Sequence, residues 1–207
     1  MLQKAVDKAR IEIANAEESL TSMDTNDWAT IEKGWNGFVG AAGRVYSKLQ
    51  QGAKADEASR AWFEEAVRTR SADPLLSYLW TARNVVEHTI EEVSGLNPGY
   101  AREVEPITSD RAALEASMAD ETRPWIPLGL IEVQWPHPQL LPLRDRQRVV
   151  PVPNEHLGQP LGGMAVIDVG RAALRYLAQI VEQAAELADR AAATPPSVSC
   201  ARHGAIL

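Results

Sequence analysis

Apolar residues recur along this chain in alternating steps of three and four. One stripe runs Leu2, Val6, Ala9, Ile13, Ala16, Leu20, and a second runs Trp28, Ile31, Trp35, Phe38, Ala42, Val45, Leu49. This is the period of one helix face, so each stripe predicts an α-helix with a buried side. Residues 21–26 are polar and offer N-caps between the two, and Gly52 stands where a C-terminal cap belongs. A shorter amphipathic segment spans 55–70, with Ala58, Trp62 and Ala66 expected inward. Asp73 then supplies an N-cap and Pro74 a first helical position. The helix they start is expected to cover 74–94 through Leu75, Leu79, Ala82, Val86, Ile90 and Val93, with Gly95 and Pro98 as its stop. A long final helix is predicted over 165–192, with Val166, Val169, Ala173, Leu177, Ile180, Ala184, Leu187 and Ala191 inward. Residues 194–207 follow a Thr194-Pro195-Pro196 stop and read as a flexible tail.

Between 96 and 163 the helical period disappears and prolines become frequent, which forbids a long helix. Ile131, Val133 and Trp135 alternate with Glu132 and Gln134 as in a strand. Leu140-Leu141-Pro142-Leu143 and Val149-Val150-Pro151-Val152 flank a polar run and predict a hairpin whose prolines confine it to an edge. Residues 108–120 fit either a short helix or a strand. The expected fold class is therefore mainly α: a helical bundle built from 1–94 and 165–192, with a small proline-rich β-hairpin insertion at 96–163 before the last long helix.

A chain of 207 residues buries enough surface to need no disulfide or metal staple. Its single cysteine, Cys200, gives no disulfide framework and fits a reducing compartment. The first residues mix charged and apolar side chains without a continuous apolar core, and no stretch is long and apolar enough to span a bilayer, so a cytoplasmic protein without membrane contact is expected. The formal net charge of −7 denies the chain any global attraction to nucleic acid; an RNA partner would need a local basic patch.

Chemistry concentrates on the helix from 74 to 94. Arg83, Asn84, Glu87 and His88 lie beside its apolar stripe, and Asn84 and His88, four apart, share a face. The plain reading is an Arg83–Glu87 ion pair next to an edge histidine. The run Arg83-Asn84-Val85-Val86-Glu87-His88 also resembles the arginine–polar–x3–histidine signature of the HEPN superfamily. These are all-helical domains, many of them metal-independent ribonucleases of toxin–antitoxin and phage-defence systems, and commonly homodimers that bring two motifs into one cleft. The resemblance implies His88 as proton-transfer residue, Arg83 as phosphate clamp and Asn84 as orienting group. It further implies single-stranded RNA as substrate, attack by the neighbouring 2′-hydroxyl, a 2′,3′-cyclic phosphate product, and an antitoxin or other protein as possible partner. Histidine titrates near neutrality and arginine offers a planar fork of donors, so the residue types suit that chemistry.

Other constellations are weaker. Arg144, Arg146 and Arg148 alternate near the hairpin tip and could grip an RNA backbone, or simply solvate the tip. Asn154-Glu155-His156-Leu157-Gly158 with Gly162 and Gly163 reads as a connector or a substrate loop, without the lysine of a phosphate loop. Glu87-His88 lacks the second histidine of a zinc helix, and His137, His156 and His203 have no ligand spacing, so neither metal nor cofactor is expected. Gly34, Gly37, Gly40 and Gly43 line the second helix and would permit close approach of another helix, within the chain or across a homodimer. The alternative to an enzyme is a non-catalytic helical module that binds a partner protein.

Overall fold

The computed structural model describes residues 1–89, 92–103, 131–145, 148–162 and 165–193. Five helices carry these residues: α1 Gln3–Ser22, α2 Trp28–Ala53, α3 Glu57–Ala72, α4 Pro74–His88 and α5 Val166–Ala193. Among the described residues between α4 and α5 lie four two-stranded antiparallel ribbons. They pair β1 Ser94–Asn97 with β4 His137–Leu140, β2 Tyr100–Glu103 with β3 Ile131–Gln134, β5 Leu143–Asp145 with β6 Arg148–Val150, and β7 Glu155–His156 with β8 Gln159–Pro160. The chain is thus mainly helical, with small strand pairs before the last long helix, as its hydrophobic pattern implies. Residues 108–120, Arg146, Cys200 and the tail lie outside the described residues. Among those described, no helix is long and apolar enough to cross a membrane.

The bundle is built on α1 packed along α2, its most extensive helix contact, with α5 closing the other side. Trp35 and Phe38, both fully buried, stack with ring centroids 5.5 Å apart in one half of the core. Val45, Leu49, Leu177 and Ile180 fill the other half. The glycines of α2 explain the tight fit. A Cβ on Gly34 would lie 2.9 Å from the Ser19 carbonyl oxygen and 2.5 Å from Met23 Cγ, and one on Gly37 would meet Ser19 Oγ at 2.9 Å. Gly43 makes room instead for Arg83, whose Cγ would be 3.0 Å from an added Cβ. Three of the four glycines are therefore used inside one chain, and the stripe no longer argues for a homodimer. On α3 the inward residues are Ser59 and Ala66 with half-buried Trp62 and Phe63; Ala58 faces solvent. Ser59 can be buried because its hydroxyl donates to Asp56 Oδ2, 2.8 Å away.

Helix α4 stops at His88, six residues before the expected end. Thr89 leaves the helix with an extended backbone (φ −131°, ψ 173°), and both its N–H and its hydroxyl donate to the Val85 carbonyl. A β-branched residue favours such a conformation and closes the helix without glycine. Val93 is then buried from a strand approach, and Gly95 lies within β1. The β1–β4 and β2–β3 ribbons form one arm with a kink. There Asn97 Oδ1 accepts from the Gly99 N–H at 2.9 Å, and Gly99 holds φ +74°, where a Cβ would run into the opposing backbone at Trp135 and Pro136. The base of the arm is fastened by Tyr78, whose buried hydroxyl lies 2.8 Å from the Leu141 carbonyl and 3.2 Å from that of Val93.

Two outcomes test this packing. Gly34→Ala should lower stability by about 1–3 kcal/mol in urea denaturation, because the Ser19 carbonyl cannot move aside. Gly40→Ala should instead gain up to about 1 kcal/mol, since its Cβ meets only the end of the Arg44 side chain and alanine favours the helix. Burial pushes the phenols of Tyr46, Tyr78 and Tyr176 above the ordinary tyrosine range. A raised folded-state value means stability is intact below the unfolded pKa of about 10 and is lost as pH rises beyond it. Absorbance at 295 nm should therefore show these three tyrosines ionising only as circular dichroism reports unfolding.

Candidate functional site

Asp73 sets the site's position. It is the last residue of the α3–α4 corner, and its buried carboxylate accepts the Leu76 N–H at 2.8 Å as the N-cap of α4. The same carboxylate accepts the Leu157 N–H (2.6 Å) and His156 Nδ1 (3.0 Å) from the β7–β8 hairpin. A carboxylate only accepts, so Nδ1 carries the proton. His156 stands edge-on to Tyr176 of α5, with ring centroids 5.5 Å apart. The 154–158 segment is thus a structural clasp between the bundle corner and the last helix.

From that start, α4 presents Trp80, Arg83, Asn84, Glu87 and His88 over its last two turns. The stem of Arg83 lies over Gly43. Its guanidinium donates to Asn84 Oδ1 at 3.1 Å and pairs with Glu87 Oε2 at 2.5 Å. His88 is 70% exposed at the helix end, and its Nε2 lies 3.9 Å from the same Glu87 oxygen. Arg83 and His88 therefore converge on one anionic point although they do not touch each other. Asn84 is engaged with the arginine and not with the histidine.

Arg144 and Arg148 are both exposed. The register pairs Arg144 with Val149 and Asp145 with Arg148, which places the two arginines on opposite faces of the ribbon. They do not form a one-sided cationic row; Arg146 lies outside the described residues. Among the described residues no three His, Cys, Asp or Glu side chains gather as metal ligands.

Sequence reasoning missed Arg70. It sits near the end of α3, half-buried, with its guanidinium carbon 3.7 Å from the Trp80 ring centroid and 4.9 Å from that of Tyr46. Arg83 approaches the same indole at 5.7 Å. Nothing along the chain links positions 46, 70, 80 and 83; only the packing of α2, α3 and α4 does.

Asp73→Ala removes one cap bond and two clasp bonds at a buried carboxylate, and should cost about 3 kcal/mol in urea denaturation, with hydrogen exchange accelerating first at 154–160. Matched against protein-family models, curated proteins and solved structures, the chain gives no match in any of the three.

Proposed function

We propose that the protein is a HEPN-like, metal-independent endoribonuclease that cleaves single-stranded RNA by attack of a 2′-hydroxyl on the neighbouring phosphodiester. The observation that supports this reading is that Glu87 Oε2 pairs with Arg83 Nη2 at 2.5 Å and lies 3.9 Å from His88 Nε2, although the same ion pair beside an exposed histidine is also what the plain reading of the helix expects. An anionic oxygen already occupies the point between a forked cation and an exposed imidazole. A phosphate oxygen arriving there would take the place of the carboxylate, with Arg83 neutralising the charge that grows in the transition state. His88, free to approach from solvent, would move the proton of the 2′-hydroxyl or of the leaving oxygen. Asn84 fixes the arginine in this geometry. In this reading a homodimer sets two such α4 ends in one cleft, and a toxin or phage-defence role with an antitoxin partner follows from the family resemblance.

A second reading is favoured by one observation of its own. Trp135 is 77% exposed at the kink of the arm, where Tyr100 and Leu96 are also exposed. Such a patch fits a protein-binding arm, and the protein would then be a non-catalytic helical interaction module.

The two readings part on catalysis. Wild-type protein should cut single-stranded RNA in EDTA and leave cyclic phosphate ends. Arg83→Ala or His88→Ala should slow the reaction about 10²–10³-fold while retaining the helical spectrum. Equal cutting by both variants, or none by the wild type, would overturn the ribonuclease reading. Retained partner capture that is lost on Trp135→Ala would then support the module.

A further inference from the structure

Arg70 is a cation that the protein leaves without a counter-ion. None of its donors reaches an acceptor and no carboxylate pairs with it among the described residues; its neighbours are the faces of Trp80 and Tyr46. Burial lowers its pKa from the usual arginine value, yet a guanidinium remains charged in proteins. The Tyr46 hydroxyl beside it is buried and faces the phenol of Tyr176. Placing a half-buried guanidinium against two rings recovers some cation–π attraction and leaves its donors open to solvent. Arg83, the other arginine at this indole, is paired with Glu87, whereas Arg70 is half-buried without a carboxylate among the described residues.

Arg70 and Arg83 border a single hollow, closed by Gly43 and Tyr46 of α2, Trp80 of α4 and Leu177 of α5. Its enclosed volume is about 10 Å³, room for a single water-sized atom. A whole nucleobase does not fit. Its lining is almost wholly apolar, so a phosphate would meet Arg70 from the solvent side and not inside the hollow. The two guanidinium carbons lie 3.7 and 5.7 Å from one indole centroid, so both arginines border the same ring.

We propose that Arg70 is a phosphate-binding residue: it holds the backbone phosphate adjacent to the one clamped by Arg83, and so sets the path of single-stranded RNA across the α3–α4 corner. The identity of the ligand rests on the ribonuclease reading, but the binding does not require cleavage. Arg70 takes no part in bond making; it supplies forked donors and charge from a site preformed by the stack on Trp80.

The test is the affinity of the full-length protein for a short 2′-O-methyl oligouridylate, which lacks the attacking hydroxyl, measured over a salt series. Arg70→Gln should weaken binding about ten-fold, the loss of one charge-assisted contact, and make the salt slope shallower by about 0.7. Arg70→Lys keeps the charge and therefore the slope, and should lose affinity several-fold because the fork is gone. A purely structural role for Arg70 would not move the slope. Should Arg70→Gln fail to fold by circular dichroism, the lysine variant decides: a several-fold loss supports the subsite and wild-type affinity overturns it. Wild-type affinity and slope in a folded Arg70→Gln, or no oligonucleotide binding by the wild type at low salt, also overturn it. If the wild type binds in an Arg70-dependent way yet cuts no RNA, the subsite stands and the ribonuclease reading falls. Cleavage by the wild type with unchanged binding by Arg70→Gln gives the reverse.

Discussion

The buried carboxylate of Asp73 is the constraint on which this structure turns. Three donors from two distant parts of the chain meet it: the first turn of α4 and the β7–β8 hairpin. A buried carboxylate is tolerable only when such donors surround it, so the hairpin and the helix start stabilise each other's geometry. Because the cap sets where α4 begins, it also sets the phase of everything α4 carries. Tyr78 then points to the base of the arm, Trp80 and Arg83 to the hollow beside α2 and α3, and Glu87 and His88 to solvent. Shifting the start by one residue would rotate all of these by about 100°.

The chemistry is arranged by charge in a chain that is acidic as a whole. With a net charge of −7, attraction to a phosphate backbone has to be local. Arg70 and Arg83 approach the same indole, and His88 follows further along α4. Glu87 moderates this concentration by holding Arg83 and lying near His88. In the proposed reading an incoming anion would exchange with this carboxylate. Among the described residues Arg70 has no such carboxylate and rests on the rings of Trp80 and Tyr46 instead.

The arm between α4 and α5 is joined to the bundle by few but specific contacts. Tyr78 meets two carbonyls, Leu143 and Val150 face each other across the β5–β6 ribbon as buried residues, and the Gly99 kink turns the distal ribbon outward with Trp135 at its bend. All four ribbons are two-stranded, which agrees with prolines at the strand ends and within β4 and β8: each removes a donor and prevents a further strand from pairing.

Much of the architecture was legible along the chain because it depends on local period and local caps. The stripes of α1, α2 and α5 repeat over five turns or more, and Asp73-Pro74 marks a helix start by its own chemistry. The β5–β6 hairpin could be placed from the apolar residues on both sides of its polar run. The end of α4 could not, since Ile90 and Val93 continue the helical spacing and the stop lies in Thr89, whose preference for an extended backbone is decided by the arm it leads into. The Arg83–Glu87 ion pair beside an edge histidine was visible too, since i,i+4 spacing belongs to the helix, but the seat of the Arg83 stem over Gly43 was not. Which faces Arg144 and Arg148 take was not legible, because the pairing register, not strand alternation alone, assigns faces near a turn. Arg70 and the clasp of His156 on Asp73 had no signal in the sequence: their partners lie 10 and 83 residues away, and only the close packing of helices determines which side chains share a buried space. Periodicity and capping are properties of a segment, whereas the pairing of charges across elements belongs to the folded chain.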